Sequence, residues 1–262
     1  MNSLEITKLL NKVKIVVRET IETLKSYSTE DLIQYSYLQE NKREMKAKVD
    51  DIMNQVIFNQ LEKIGIPILS EEGEGGSSIE NSGSTYRFIV DPLDGTVNFV
   101  RGVGPSAISI ALYDGNTPIF GVVGNVSSQE IIWGGKKIGA FIANKKISVS
   151  NIKMLCESVL CTGFPSRFDV DNGQKLLDYC AFMSQFGKVR MVGAASISLM
   201  YVAKGAAECY VEDDIMLWDV AAGLAIVEGA GGYVSYNKGN FENSLNVKAS
   251  NGKIILDKGA IK

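Results

Sequence analysis

Two aspartates in a single tight turn are the first feature of the sequence that points to chemistry. The run from Asp91 to Thr96 reads Asp-Pro-Leu-Asp-Gly-Thr, with its carboxylates three residues apart, so one turn can bring both to the same side. Pro92 stiffens such a turn, and Gly95 and Thr96 offer backbone N–H groups to an anion where a helix begins. The run combines ligands for a hard cation with donors for a phosphate, although Asp-Pro and Asp-Gly also occur in purely structural turns.

Two further acidic sites stand at predicted element ends. Glu71 and Glu72 follow a short apolar run, and Asp219 begins a segment of Ala, Gly and Val. Each has an ordinary structural explanation, because glutamates at strand ends are usually solvated and an aspartate often caps a helix. Together with the first turn, they favour coordination of Mg²⁺ or a similar ion by oxygen atoms.

The composition excludes several classes of function. The chain has 262 residues and no histidine, which removes Ser-His-Asp and Cys-His triads and any zinc site with histidine ligands. A net charge of -3 gives no basic footprint for nucleic acid. The four cysteines lack the CxxC spacing and are interpreted as buried free thiols. No apolar run is long enough for a membrane span and the N-terminus lacks a signal-peptide pattern, so we expect a cytoplasmic protein.

The periodicity predicts the elements that must position these residues. Helices are predicted near 2–26, 50–64, 172–186, 196–204 and 218–229, and strands near 66–69, 86–90, 107–113, 118–126, 130–134, 140–142, 159–162, 189–192, 209–212 and 233–235. Residues 36–48 are predicted as a loop or hairpin and 72–84 as a loop. The pattern changes near residue 145, which predicts an N-terminal α+β domain (1–145) with the metal and phosphate motifs and a C-terminal α/β domain (146–262) that completes the site.

The sequence resembles the inositol monophosphatase family of metal-dependent phosphatases over most of its length. The matching motifs occur in the family's order: Glu71-Glu72, the run Asp91 to Thr96, Gly139-Ala140-Phe141, Gly193-Ala194-Ala195-Ser196, Trp218-Asp219 with Ala221-Ala222, and Glu228-Gly229-Ala230-Gly231-Gly232. The resemblance implies an α/β (α+β) layered sandwich of alternating helix and sheet layers, with the active site between the two halves.

The resemblance also implies a set of metal ligands for two or three Mg²⁺ ions. Glu71 would bind one ion, Asp91 would bridge two, Leu93 would lend its carbonyl oxygen, and Asp94 and Asp219 would hold the second ion. Gly95 and Thr96 would bind the phosphate. The expected reaction is direct attack of a magnesium-activated water on phosphorus, with no phosphoenzyme.

In the family, the motif threonine and an upstream aspartate orient the attacking water. Asp50 and Asp51 both lie near the expected position, and we favour Asp50 because its spacing to Glu71 is similar to that in archaeal members. The family often has Thr-x-Thr-Asp there, whereas this chain has Ala47-Lys48-Val49-Asp50, so the two aspartates remain alternatives.

Substrate contacts are the least constrained prediction. Glu212 precedes Asp219 by seven residues, a spacing at which inositol-hydrolysing relatives contact ring hydroxyls, and Ala194 and Ala195 would line the pocket wall. A second phosphate, as in fructose 1,6-bisphosphate, would need a cation, for which the candidates are Arg167, Arg190 and Lys204.

Three functions compete at this point. The first is hydrolysis of inositol monophosphate, with fructose 1,6-bisphosphate as a further substrate. The second is a 3′(2′),5′-bisphosphate nucleotidase, and the third is a non-catalytic member of the fold that binds a protein partner. A small phosphate ester is the expected partner molecule and a homodimer the expected assembly, with neither nucleic acid nor membrane bound.

Overall fold

The computed structural model describes residues 1–27, 29–37, 45–75, 85–164 and 173–256. Two sheets alternate with three layers of helices, which confirms the layered sandwich predicted from the sequence. In chain order the elements are α1 (Ser3–Leu24), α2 (Thr29–Leu32), β1 (Tyr35–Tyr37), β2 (Met45–Ala47), α3 (Lys48–Leu61), β3 (Ile68–Ser70), β4 (Gly73–Gly75), β5 (Tyr86–Asp94), α4 (Thr96–Arg101), β6 (Ala107–Asp114), β7 (Thr117–Asn125), β8 (Ile131–Gly135), β9 (Gly139–Ile142), β10 (Lys145–Ile147), β11 (Val159–Thr162), α5 (Gly173–Met183), β12 (Lys188–Met191), α6 (Ala195–Ala203), β13 (Cys209–Met216), α7 (Leu217–Gly229), β14 (Tyr233–Lys238) and β15 (Ser244–Ser250).

The first sheet has eight strands in the order β10-β9-β8-β7-β6-β5-β3-β4. Its pairs are antiparallel except that β3 runs parallel to β5. Because side chains alternate along a strand, Phe88 and Val90 of β5 pack with the apolar stripe of α1, while Ile89 packs on the opposite side with α6 and α7. Asp91 shares the face of Ile89, so the pattern of β5 turns this carboxylate toward the central helices.

The second sheet has five strands in the order β12-β11-β13-β15-β14. Its β11 pairs in parallel with both β12 and β13, and the remaining pairs are antiparallel. In β13, Cys209 and Val211 pack with Phe182 of α5, whereas Tyr210 faces the central helices. Glu212, two residues after Tyr210, therefore points to the same interior layer.

The central layer consists of α6 and α7, which lie between the two sheets. Both helices are apolar on all sides and almost wholly buried, as expected for helices covered on both faces. The contact between α7 and β7 is especially close, since a Cβ atom at Gly121 would lie 2.1 Å from the carbonyl oxygen of Ala222. One hydrophobic cluster consequently runs from the first sheet through the helices into the second sheet.

Most predicted elements are confirmed, with several corrections. The α1 helix begins at an Asn2–Glu5 capping box, and the helical segment predicted near 50–64 ends at Gly65 in the left-handed conformation. The prediction missed β4, β10 and β15, because glycine-rich or polar strands carry little apolar alternation. The burial predicted for the cysteines is wrong for Cys156 and Cys180, which are exposed, and right for the other two. The division into domains at residue 145 stays a prediction.

Candidate metal and phosphate site

Three carboxylates from distant segments meet at one edge of the first sheet. The parallel register pairs Ser70 of β3 with Val90 of β5, so the next residues, Glu71 and Asp91, lie side by side. The first turn of α7 brings Asp219 to the same place. One carboxylate oxygen from each of these residues lies within 4.8 Å of the others. Three ionised carboxylates this close would repel one another, so the spacing favours a cation shared between them.

An unpaired oxygen atom in this group supports a cation. Asp91 is buried, and its Oδ1 accepts a hydrogen bond from the backbone N–H of Leu93 over 2.9 Å. Within the described part of the chain, its Oδ2 has no hydrogen-bond partner. A buried carboxylate oxygen without a donor is costly, and a divalent cation would satisfy it. The donor set consists of hard oxygen atoms, which fits Mg²⁺ or Ca²⁺ and not a thiolate-bound metal.

Asp94 lies beside these three residues but is held differently. The strand register shifts between Asp91 and Asp94, which lets both carboxylates reach the interior layer although they are three residues apart. Oδ2 of Asp94 accepts hydrogen bonds from the backbone N–H of Ser196, at 2.7 Å, and from the Ser196 hydroxyl. Asp94 therefore sits at the N-terminal end of α6 with one oxygen engaged.

Desolvation of the carboxylates dominates the electrostatics of the acidic group, although Glu71 as a whole residue is exposed. Desolvation, followed by the neighbouring negative charges, raises the pKa of Glu71 to about 8 and holds the pKa values of Asp91 and Asp219 well above their usual range. Burial also raises the pKa of Asp94 to about 6, although the Ser196 donors oppose that shift. Without a cation, the folded chain thus holds protons within the group of Glu71, Asp91 and Asp219 at neutral pH, whereas Asp94 is largely ionised, and a metal ion would have to displace those protons.

The turn after Asp94 is closely approached by the segment before α6. Gly95 has φ of 84°, a left-handed conformation that favours glycine, and precedes the short helix α4. A Cβ atom there would also lie 3.1 Å from the Cβ of Ala194 and 3.2 Å from the carbonyl oxygen of Pro105. Glycine is therefore required both for the backbone conformation and for the close approach of the α6 segment.

Thr96 and Asp50 form a hydrogen-bonded pair beside the acidic group. Thr96 Oγ1 lies 3.0 Å from Asp50 Oδ1 and 3.1 Å from the carbonyl oxygen of Leu93. Asp50 is buried, and its other oxygen accepts the N–H of Ala47 over 2.9 Å. Burial raises the pKa of Asp50 to about 7, against the effect of its two hydrogen bonds. Asp51, the alternative in the sequence, is exposed.

Glu72, the neighbour of Glu71, is engaged in an ion pair. Its Oε2 lies 2.5 Å from Nζ of Lys46 on β2. It is absent from the group of three converging carboxylates. The β1–β2 pair therefore places a positive charge next to the acidic group, which the sequence motifs did not indicate.

A cavity of about 230 Å³ adjoins Asp94 and Asp219. Its walls include Ala194, Ala195 and Glu212, which brings three of the predicted substrate contacts together. The carboxylate of Glu212 is buried, accepts the hydroxyl of Tyr210 over 2.9 Å and has a pKa raised by burial to about 7.

Two of the three candidate cations, Lys204 and Arg190, are not among the residues that line this cavity. Lys204 follows the last turn of α6, at the end away from Ser196, and pairs with Glu130 over 2.8 Å. Arg190 is exposed on the edge strand β12, where its guanidinium bonds the carbonyl oxygen of Val189 over 2.9 Å. Arg167 lies outside the described residues.

Two positioning residues were missed by the sequence reasoning. Ser196 belongs to a motif found in the sequence, but its hydrogen bond to Asp94 joins distant segments and cannot be predicted from that motif. Asn98 is buried on α4 and donates to the carbonyl oxygens of Pro105 (2.9 Å) and Val192 (2.8 Å), which holds the turn after Asp94 against the segment before α6. The sequence shows only an asparagine four residues after Asp94, which does not indicate this role. Among the described residues, no helix is long and apolar enough to cross a membrane.

Comparisons with known proteins agree with this arrangement. The chain is 35% identical to an inositol-1-monophosphatase of Rhizobium meliloti over 71% of its length and 70% of the relative's. It is 37% identical to a fructose-1,6-bisphosphatase/inositol-1-monophosphatase of Aquifex aeolicus over 58% of each chain. The crystal structure of the extragenic suppressor protein suhB from Bartonella henselae superposes with a TM-score of 0.81, at 30% identity, over 94% of this chain and 95% of that one. The family model for the inositol monophosphatase family matches residues 5–261, and the chain is therefore a phosphatase that belongs to this family.

Proposed function

We propose that the protein hydrolyses the phosphate ester of a small polyol or sugar with the help of Mg²⁺. Inositol monophosphate is the first candidate substrate and fructose 1,6-bisphosphate the second. The observation that carries the proposal is the convergence of Glu71, Asp91 and Asp219 beside the Gly95–Thr96 turn. Family membership makes the protein a phosphatase, and the hard oxygen donors favour Mg²⁺.

The metal ligands would be the acidic group and one carbonyl oxygen. Glu71, Asp91 and the carbonyl oxygen of Leu93 would hold one ion, and Asp91, Asp94 and Asp219 a second, with room for a third beside the phosphate. Bound Mg²⁺ supplies charge neutralisation and a more acidic water. The Ser196 donors both bond Oδ2 of Asp94 and so orient this carboxylate toward the acidic group.

Asp50 and Thr96 would position the attacking water. The hydroxyl of Thr96 has a single proton. It donates this proton mainly to the carboxylate of Asp50, because a hydrogen bond to a charged acceptor is the stronger one. The lone pairs of Thr96 Oγ1 can then accept a hydrogen bond from water. Asp50, with a pKa of about 7, is suited to take up the proton released by this water near neutral pH.

Glu212 would recognise the substrate hydroxyls. It is a buried carboxylate in the wall of the cavity next to Asp94 and Asp219. A buried polar group that loses its hydroxyl partner gives strong discrimination against analogues without that hydroxyl. This argument supports a polyol phosphate over a simple aryl phosphate.

A phosphate-release panel with Mg²⁺ tests the proposal. It compares inositol monophosphate, fructose 1,6-bisphosphate, 3′-phosphoadenosine 5′-phosphate and an aryl phosphate. Preference for either of the first two supports the polyol or sugar assignment. Preference for the third would make the protein a nucleotidase. If no phosphate is released from any substrate, the non-catalytic alternative is favoured. The retention of all four carboxylates argues against that alternative. A homodimer remains a proposal that sedimentation can test.

A further inference from the structure

A second, larger cavity lies at the opposite end of β5 from the acidic group. Its volume is about 800 Å³, and it is enclosed by the β5–β6 region, the start of α7 and the β14–β15 hairpin. Cavities of about 300–1,000 Å³ are typical of small-molecule sites. Arg87, which lines it, precedes Asp91 by four strand residues, a separation of about 13 Å. The cavity is therefore distinct from the metal and phosphate site.

Two buried polar atoms in this cavity lack partners. Tyr113 is only 2% exposed, and its hydroxyl has no hydrogen-bond partner among the described residues. The same is true of the buried Nε of Arg87, whose Nη2 makes only a long contact of 3.5 Å to the Oδ1 of Asn116. Native structures rarely leave such groups unpaired. Both atoms belong to residues of the cavity wall, and a small rotation of each side chain would present the atom to a bound molecule.

The charges of the wall favour an anion. Its charged members are Arg87, Lys238 and Glu242, which gives one net positive charge; Lys238 and Glu242 are both exposed, so the half-buried Arg87 is the charge that belongs to the wall. The nearby carboxylate of Asp214 is already engaged, because it accepts the backbone N–H and the side-chain amide of Asn240 at 2.7 and 2.9 Å. Those bonds also hold the hairpin that forms one side of the cavity.

The remaining wall supplies flat apolar surface. The rings of Tyr236 and Phe241 line the cavity together with Leu217 and Leu245. Tyr236 is fixed by a bond from its hydroxyl to the carbonyl oxygen of Asn116 over 3.3 Å. Aromatic rings beside a guanidinium accommodate a planar group that carries a negative charge.

We propose that this cavity binds a small organic anion with a planar apolar group, whose charged end is held by Arg87 and the hydroxyl of Tyr113. Burial raises the pKa of Tyr113, so its hydroxyl keeps the proton that it would donate to the anion. An occupant would contact Leu217, two residues before Asp219, but the proposal concerns binding and does not depend on the phosphatase reaction.

The probe is naphthalene-2-sulfonate, a planar anion that cannot be hydrolysed as a phosphate ester. Calorimetry should show one site per chain on the full protein, in saturating Mg²⁺ and inorganic phosphate so that the catalytic site is occupied. The neutral naphthalene-2-sulfonamide tests the need for charge, and methanesulfonate tests the need for the planar group. Both should bind at least about tenfold more weakly than the probe, as expected when one of two main interactions is lost.

Two substitutions locate the site. Arg87→Gln and Tyr113→Phe should each weaken probe binding about tenfold. Tyr113→Phe removes only an unpaired hydroxyl, so the fold should survive even if Arg87→Gln does not fold. Arg18→Gln, at an exposed arginine of α1, is the matched control and should leave binding unchanged. Equal affinity in wild type and Tyr113→Phe, displacement by phosphate, or no detectable probe binding would each overturn the proposal.

Discussion

Asp94 and Ser196, 102 residues apart, are joined by two hydrogen bonds at the N-terminal end of α6. The backbone donor lies 2.7 Å from the carboxylate, and the hydroxyl donates to the same oxygen atom. A proposed metal ligand from the first sheet is thus oriented by a helix of the central layer. Its geometry depends on the docking of the two halves as well as on the local turn.

Removing one of these donors should weaken the metal site without abolishing it. Ser196→Ala keeps the backbone bond to Asp94 but loses the hydroxyl, and the loss of such an orienting partner typically lowers metal affinity about 10-fold or more. Titration of activity with Mg²⁺ measures the effect. Ser158→Ala is the control, since among the described residues the hydroxyl of that buried serine donates only to the carbonyl oxygen of Leu155. Equal Mg²⁺ dependence in the two variants would contradict the positioning role.

Neutralising a proposed ligand should lower the activity of the protein without lowering its stability in chelator. Asp219→Asn should lower turnover about 10³-fold, because several kcal/mol of transition-state stabilisation depend on the metal. In chelator, the same variant should melt no lower than wild type, since a crowded buried acid is replaced by a neutral group. Asp178→Asn, on α5, should change neither property, because the side-chain oxygen of asparagine can still accept the hydrogen bond from Gln174. Full wild-type activity in excess chelator would exclude the metal mechanism.

The stability of the metal-free protein should fall as the pH rises. The pKa values of Asp94, Asp50 and Glu71 are raised to about 6, 7 and 8, mainly by burial, whereas in the unfolded chain carboxyls titrate near about 4. Between about pH 4 and pH 8 the folded state therefore binds more protons than the unfolded state, and the free energy of unfolding decreases with pH.

Thermal unfolding in chelator at pH 5.5 and pH 8 measures this dependence. Added Mg²⁺ should raise the melting temperature more at pH 8, where fewer protons compete for the carboxylates. Asp94→Asn should reduce the pH dependence. A melting temperature in chelator that rises from pH 5.5 to pH 8 would show that these groups do not dominate stability.

Asp50 and Asp51 should differ sharply in their effect on turnover. Asp50→Asn removes the buried carboxylate that accepts the Thr96 hydroxyl, so kcat should fall about 10²–10⁴-fold with little change in KM. Asp51→Asn is the matched control, because that residue is exposed on the same helical turn. Reversed effects would mean that the water is positioned from the other aspartate.

Substrate preference should depend on Glu212 and not on every nearby charge. Glu212→Gln should reduce hydrolysis of inositol monophosphate more than that of an aryl phosphate, which has no ring hydroxyls to recognise. Arg167→Ala should selectively reduce hydrolysis of fructose 1,6-bisphosphate. Lys204→Ala should leave both reactions unchanged, because Lys204 pairs with Glu130 away from the cavity. Equal losses on all substrates in Glu212→Gln would assign that residue to the fold or the metals.

The sequence predicted the turn from Asp91 to Thr96 and most elements because their signals are local. The aspartates of the turn are three residues apart, and α1 and α7 have continuous apolar patterns. The bond between Asn98 and Val192 could not be predicted, since it joins segments 94 residues apart. The sequence also could not predict that Lys204 lies away from the cavity, because a sequence motif does not show how its helix is oriented in the fold.

The glycine contact between β7 and α7 has a consequence for dividing the chain. Because Gly121 has no side chain, the backbone of Ala222 on α7 lies in direct contact with β7, and α7 covers this part of the first sheet closely. A fragment that ends near residue 145 would therefore expose Ile89 and Val123 to water, and the complementary fragment would expose the outer sides of α6 and α7. We expect each fragment to aggregate when expressed alone, and phosphatase activity to return only when both are co-expressed and can dock during folding.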